Sequence, residues 1–242
     1  MSERAIHNHS LPLVLLGGTL CNGRLWLPML ETLNVSYVIS ISLEGADSTE
    51  AFAQQLLSTL PPRFCLVGFS LGAMVALQML ADAPQRIAGL ALLSVNPLAD
   101  DPNNAPSRRE AFNEARRQGL GTWLTTTMWP RYVAPAHLER EALHRTLVQM
   151  AEESGVETFA QQTEVALSRQ DKRAALATFT APTLIINGAH DPICTPHHHQ
   201  LAAEAAACAQ QITFSDCGHF LPLEAPERLA SGLRNWLKEI IT

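Results

Sequence analysis

Most of what organises a secreted, membrane-spanning or nucleic-acid-binding chain is missing from this sequence. Its five cysteines (Cys21, Cys65, Cys194, Cys208 and Cys217) are scattered and form no CxxC pair. Their number is odd, so at least one thiol is free and no disulfide framework is implied. Reduced thiols in a cytoplasmic protein are the expectation. The apolar run Leu11–Leu16 is too short for a secretory core or a membrane span, and the ten residues before it, MSERAIHNHS, are polar. There is no basic run, and a formal charge of −6 argues against nucleic acid or an anionic membrane as partner. Internal repeats, low-complexity segments and flexible linkers are absent as well. What is present is 47% hydrophobic and only 17% charged, the balance of a globular protein with a sizeable core. A length of 242 residues suits one large domain, or one domain with a substantial insertion.

Continuous apolar runs at Pro12–Leu16, Tyr37–Ile41, Phe64–Val67 and Leu90–Val95 have the pattern of parallel strands buried on both faces. Between them, Ser48–Leu60 carries Ala51, Leu56, Leu57 and Leu60 on a helical stripe behind a Ser-Thr cap signal. Leu71–Ala81 is rich in Ala, Met and Leu and holds no proline. This alternation predicts an α/β fold, a mostly parallel central sheet with helices on both faces. From residue 99 to 178 the strand-like runs stop. Helix formers and charges replace them, punctuated by Gly119, Gly121, Pro130, Pro135 and Gly155. This block is expected to be a helical cap inserted into a core made of residues 1–98 and 179–242. Strands resume at Thr183–Asn187 and Gln211–Phe214, with a helix over roughly His197–Ala207 between them. Pro226–Ile241 closes the chain as an amphipathic helix with Leu229, Leu233, Trp236, Leu237 and Ile240 on one side.

The chemistry centres on Gly68-Phe69-Ser70-Leu71-Gly72, a G-x-S-x-G pentapeptide with a strand before it and a helix after it. A serine at such a turn takes strained backbone angles, which small neighbours relieve, and its Oγ is lifted above the sheet. A hydroxyl needs a base to be nucleophilic at neutral pH. Of nine histidines, His219 alone follows a last strand in a Gly-His-Phe-Leu-Pro loop that can be anchored in the core. Asp191 lies just past Thr183–Asn187 and before His219, the order Ser, Asp, His that orients the imidazole in this architecture. Asp100 and Asp101 are rival acids farther from their strand end, and Asp216 is expected to serve the turn. The oxyanion donors are expected to be the Leu71 N–H and a backbone N–H of the Leu16-Gly17-Gly18-Thr19-Leu20 loop, Thr19 first and Leu20 second. Trp123, Met128 and Trp129 are expected to line the acyl pocket from above and Trp26 from below. His197-His198-His199 reads as a solvated helix start and not a metal site, since successive helical residues diverge by about 100°. Cys21 reads as a small buried filler.

On the GGT loop, Gly68–Gly72, the NGAHD segment and the CGHF segment, the chain resembles small, capped α/β-hydrolases of the esterase, lactonase and carboxylesterase-like branch, over Pro12 to Trp236. The resemblance implies an eight-strand sheet, of which six strands are located above. It also implies hydrolysis of a small-molecule ester, thioester or lactone through an acyl-enzyme, with no cofactor or metal; oligomeric state is unread. Similar proteins use the same triad for C–C bond hydrolysis, elimination or cofactor-free halogenation, and a non-catalytic binding module is the reading from another class. Two departures stand out: Gly17 occupies the place where relatives often have an oxyanion-loop histidine, and Leu43–Asp47 replaces a longer loop, which would open one side of the pocket.

Overall fold

The six apolar runs form one sheet in the computed structural model, which describes residues 11–241; the polar segment 1–10, with His7 and His9, lies outside the described residues. The strands are β1 (Leu13–Leu16), β2 (Val38–Ile41), β3 (Phe64–Phe69), β4 (Ile87–Leu93), β5 (Thr183–Gly188) and β6 (Ala209–Phe214), in the order β2-β1-β3-β4-β5-β6. Every pairing is parallel. The helices are α1 (Leu27–Leu33), α2 (Thr49–Thr59), α3 (Leu71–Asp82), α4 (Ala105–Gln118), α5 (Leu120–Trp123), α6 (Trp129–Tyr132), α7 (Glu141–Ser154), α8 (Val156–Ser168), α9 (Arg173–Thr178), α10 (Pro196–Ala205), α11 (Leu221–Glu224) and α12 (Pro226–Ile241).

Successive strand residues face opposite sides of a sheet, so a strand buried on both faces feeds two cores. Leu13 and Leu15 join one core with Met29 of α1 and Leu233 and Trp236 of α12. Val14 and Leu16 join the other with Phe52 of α2 and Leu80 of α3. The chain passes from β1 to β2 on one side and then to β3 on the other. The loops after β1 and β3 therefore diverge, leaving a crevice at the C-terminal strand ends, the place where such sheets bind ligands. Helices alone fill the chain between β4 and β5. Asp100 anchors the start of this stretch: its carboxylate takes two bonds from Arg108 at 2.9 Å and one from Arg169, at the end of α8, at 2.6 Å. Val165 and Ala166 of α8 and Leu176 of α9 belong to the core around α3.

Three differences from the sequence reading have physical causes. The sheet has six strands among the described residues and not the eight implied by the family resemblance, matching the six strand-type apolar runs in the sequence. Strand β4 starts at Ile87 and stops at Leu93, earlier than Leu90–Val95, because Ala88 and Gly89 dilute the apolar signal and Ser94 leaves the strand with φ 49°. The solvated helix start fails for His199. With Thr195 capping α10, the third histidine turns inward and is 0% exposed. Its Nδ1–H donates to Thr195 O at 2.9 Å, and its Nε2 accepts the Val95 N–H at 2.9 Å, tying α10 to the end of β4. His197 stays exposed. None of the described helices is long and apolar enough to cross a membrane.

Burial pushes the His199 pKa down from 6.5 to about 4. An imidazole lowered on folding adds stability that is complete above about pH 6.5 and is lost as the pH falls through about 4. Urea unfolding across that window should show stability falling by up to about 1.4 kcal/mol per pH unit, with His199→Gln flattening the slope; an unchanged slope would refute the assignment. Trp236, 1% exposed with its Nε1–H on Pro182 O at 3.0 Å, braces the opposite face. Trp236→Ala should lower the unfolding free energy by about 3–5 kcal/mol, seen as an earlier denaturant midpoint.

Candidate active site

Strand β3 ends at Phe69 and α3 begins at Leu71, so Ser70 alone makes the turn and takes φ 53°, ψ −114°. That conformation costs a residue with a side chain about 1–3 kcal/mol. It is held by the Ser70 N–H on Leu93 O at 2.9 Å and by the Ala73 and Met74 N–H groups on Ser70 O at 2.9 and 3.2 Å. The glycines at the ends of the pentapeptide are required by close approach. A Cβ on Gly72 would lie 2.6 Å from Gly17 O, and one on Gly68 would lie 2.6 Å from Ala73 Cα. The register of Leu16 with Gly68 brings the Gly17–Gly18 backbone alongside Phe69 and Ser70.

His219 Nε2 lies 2.9 Å from Ser70 Oγ, and its Nδ1 lies 2.8 Å from Asp191 Oδ2. A carboxylate accepts, so Nδ1 carries the proton and Nε2 is free to take one from Ser70. Ser70, Asp191 and His219 are buried, at 8%, 2% and 3% exposure. The other oxygen of Asp191, Oδ1, accepts the Ile193 and Cys194 N–H groups at 2.8 and 3.0 Å. Burial pushes the Asp191 carboxyl up, but the facing imidazole and these two donors outweigh it and hold the group below the usual carboxylate range. The rival acids are engaged elsewhere. Asp100 is held by Arg108 and Arg169, Asp101 caps the Asn103 N–H at 2.9 Å, and Asp216 bonds its own backbone N–H in the turn while pairing with Arg228 of α12 at 2.6 Å.

The backbone of the His219 loop is fixed by residues the sequence did not single out. Tyr132 O accepts the His219 and Phe220 N–H groups at 2.9 and 3.0 Å, and Ser94 Oγ donates to His219 O at 2.8 Å. The buried Glu224 carboxylate takes the Gly218 N–H at 2.9 Å, the Ala134 N–H at 2.8 Å and His137 Nδ1 at 2.8 Å. A serine ending the apolar run of β4, and a glutamate inside the otherwise apolar stretch Phe220–Ala225, were the available signals.

A cavity of about 420 Å³ opens above Ser70 and His219, lined also by Thr19, Trp123, Met128 and Phe159. Among the described residues no protein group takes the Thr19 or Leu71 N–H. The second-choice oxyanion donor is engaged instead, with the Leu20 N–H donating to Gln162 Oε1 at 2.8 Å. Two expected pocket residues lie elsewhere. Trp26 follows the turn Gly23–Leu25 and is fully buried in the core, off the cavity lining. Trp129 packs edge-on to His144 at 4.9 Å. The π-helical turn Leu124–Met128 holds one more residue than an α-turn, which leaves Met128 on the cavity and rotates Trp129 off it. Cys21 is a filler: burial pushes its thiol up to about 12. Asp191, Cys194 and His219 bring three metal-ligating atoms within 4.8 Å of one another. Asp191 and His219 bond each other, however, and burial pushes the Cys194 thiol well up, away from the thiolate a metal takes.

Comparison with known proteins fits this geometry. A bifunctional biotin biosynthesis protein BioHC of Cellvibrio japonicus is 26% identical over 95% of this chain, which spans only 48% of that protein's length. A pimeloyl-[acyl-carrier protein] methyl ester esterase of Stenotrophomonas maltophilia is 28% identical over 241 residues, 93% of this chain and 92% of the relative. The solved structure of a thermophilic esterase from Thermogutta terrifontis superposes with a TM-score of 0.84 at 26% identity, covering 96% of this chain and 91% of the other. The profile of the α/β hydrolase fold matches residues 42–226, from the loop after β2 to the start of α12. With that match spanning most of the chain, and the sheet and serine turn arranged as they are, the chain belongs to the α/β hydrolase fold family.

Proposed function

We propose that this enzyme hydrolyses a small carboxylic ester, thioester or lactone through an acyl-enzyme on Ser70. The observation that carries the reading is the unbroken relay from Asp191 through His219 to Ser70, two hydrogen bonds of 2.8 and 2.9 Å that end on a cavity wall. Ser70 Oγ attacks the acyl carbon as its proton passes to His219 Nε2, and the Asp191 carboxylate stabilises the imidazolium. The carbonyl oxygen becomes an oxyanion received by the Thr19 and Leu71 N–H groups, at the N-terminus of α3 where the helix dipole favours negative charge. Collapse expels the leaving group, which takes the proton from His219. Water, deprotonated by the same imidazole, then attacks the acyl carbon and frees the acid, and the proton returns to Ser70.

Residues 99–178 act in this reading as a cap that shapes the acyl site and keeps bulk water from the relay. Trp123, Met128 and Phe159 supply its apolar wall. Arg108 and Arg131 are the formally charged side chains of the lining, with no carboxylate among them, which favours a neutral or anionic substrate over a cationic one. The named activity of the methyl ester esterase relative supports ester cleavage over C–C cleavage, elimination or halogenation. None of the five cysteines forms a disulfide, which fits a reducing compartment such as the cytoplasm.

A fluorophosphonate probe is expected to label wild-type protein on the Ser70 peptide, identified by mass, and Ser70→Ala to abolish the label. A folded wild type that stays unlabelled and turns over no ester would sink the proposal. On p-nitrophenyl esters, Asp191→Asn should lower kcat by about 10³–10⁴-fold, because the imidazole loses its tautomer control. A loss below tenfold would move the orienting role to another group.

A further inference from the structure

The loop after β1 has few internal supports. The Gly17 N–H reaches Ile41 O at 3.2 Å, and Cys21 folds back on it through its N–H to Gly18 O at 3.2 Å and its Sγ to Thr19 O at 3.4 Å. Gly17 brings no side chain that could brace the loop, and a Cβ there would sit 3.3 Å from Cys21 Cβ. Leu20 is held at φ 56°, a left-handed conformation that a leucine does not adopt unaided. The brace comes from α8, more than 140 residues later in the chain. Gln162, 1% exposed, accepts the Leu20 N–H on Oε1 at 2.8 Å and donates from Nε2 to Leu43 O at 2.8 Å. Its neighbour Gln161 accepts the Gly45 N–H at 3.0 Å, so one helical turn grips the loops after both β1 and β2.

We propose that Gln162 is the positioning residue of the oxyanion loop, holding the Thr19 N–H toward Ser70 from the helical segment; this rests on the Ser70 acyl-enzyme reading. The Thr19–Leu20 peptide is planar, and it is fixed at both ends, by Gln162 on the Leu20 N–H and by Cys21 on Thr19 O. The preceding Gly18–Thr19 peptide, which carries the Thr19 N–H, is joined to that plane through Thr19 and is itself held by the Cys21 N–H on Gly18 O, with Thr19 lining the cavity. Without the Gln162 amide, the Leu20 N–H becomes a buried donor with no partner. The loop relieves that by turning its peptides, and the Thr19 donor turns with them. Gln162 also lines the cavity, but its amide is engaged at both ends by Leu20 and Leu43, so its role is to act through the loop.

The test measures kcat and KM on p-nitrophenyl butyrate, with the inhibition constant of phenylboronic acid, whose tetrahedral adduct on the serine carries the oxyanion. Gln162→Met keeps the volume and removes both hydrogen bonds. It is expected to lower kcat by about 10–100-fold, short of the full loss of a donor, with KM within about threefold and boronate binding weakened by the same factor as kcat. Gln162→Glu keeps an acceptor for the Leu20 N–H and should regain most of the lost kcat while melting at a lower temperature. If Gln162→Met does not fold, Gln162→Asn, one methylene too short to reach Leu20, decides in its place on the same criteria. A kcat within twofold of wild type, or a raised KM at unchanged kcat, overturns the positioning role. A folded wild type that hydrolyses no ester and takes no fluorophosphonate overturns the Ser70 reading and this inference together, whereas an active wild type with an indifferent variant overturns the inference alone.

Discussion

The bond between Asp191 and His219 is the constraint around which the site is assembled. An imidazole presents its second nitrogen to Ser70 only while the first is held as a donor, and here that hold is a single 2.8 Å contact between two buried groups. A buried carboxylate is costly unless its lone pairs are met. Asp191 meets this with two backbone N–H groups on the oxygen that the histidine does not use. The parallel sheet supplies the rest of the geometry. β3 and β5 end on the same side, with β4 between them, so Ser70 and Asp191 leave the sheet at one edge and His219 reaches both from beyond β6.

Much of this was legible in the sequence, for reasons that differ by element. Strands buried on both faces announce themselves as unbroken apolar runs, so β1, β3 and β5 were readable nearly to the residue, while β4 shifted where Ala88 and Gly89 carry little hydrophobic signal. The serine turn was readable because two backbone approaches forbid any side chain at Gly68 and Gly72. The side chains that hold the site in place were not readable. Gln162, Glu224, Ser94 and His199 are ordinary polar residues whose partners lie tens to more than a hundred positions away. Helical periodicity placed His199 at a helix start but could not say which of three adjacent histidines turns inward. Two of the four expected pocket residues, Trp26 and Trp129, lie off the cavity, Trp129 for a related reason: one additional residue in the turn Leu124–Met128 decides whether Met128 or Trp129 meets the cavity.

The helical stretch between β4 and β5 is tied to the sheet domain at several independent points. Arg169, which pairs with Asp100 inside the stretch, reaches out to Leu98 O at 3.1 Å, and α8 carries the two glutamines that grip the loops after β1 and β2. Glu224 holds Ala134 and His137 from α11. Apart from the exposed Gln161–Gly45 bond, these contacts are buried or half-buried, so they order the backbone of the candidate site as well as the cavity wall above it.

The Tyr132 carbonyl, which accepts the amides of His219 and Phe220, carries a consequence for how such a protein can diversify. Surface insertions in this architecture are natural places for exchange, because a new block can be grafted between two strands without disturbing the sheet. Here a main-chain atom of the helical stretch between β4 and β5 is part of the scaffold under the histidine, and no side-chain substitution can supply or remove it. A transplanted block would have to return a carbonyl to the same point in space before the histidine loop could close. Side-chain changes at Trp123, Met128 and Phe159 reshape the cavity wall and leave that carbonyl in place, which a trade of the whole block does not.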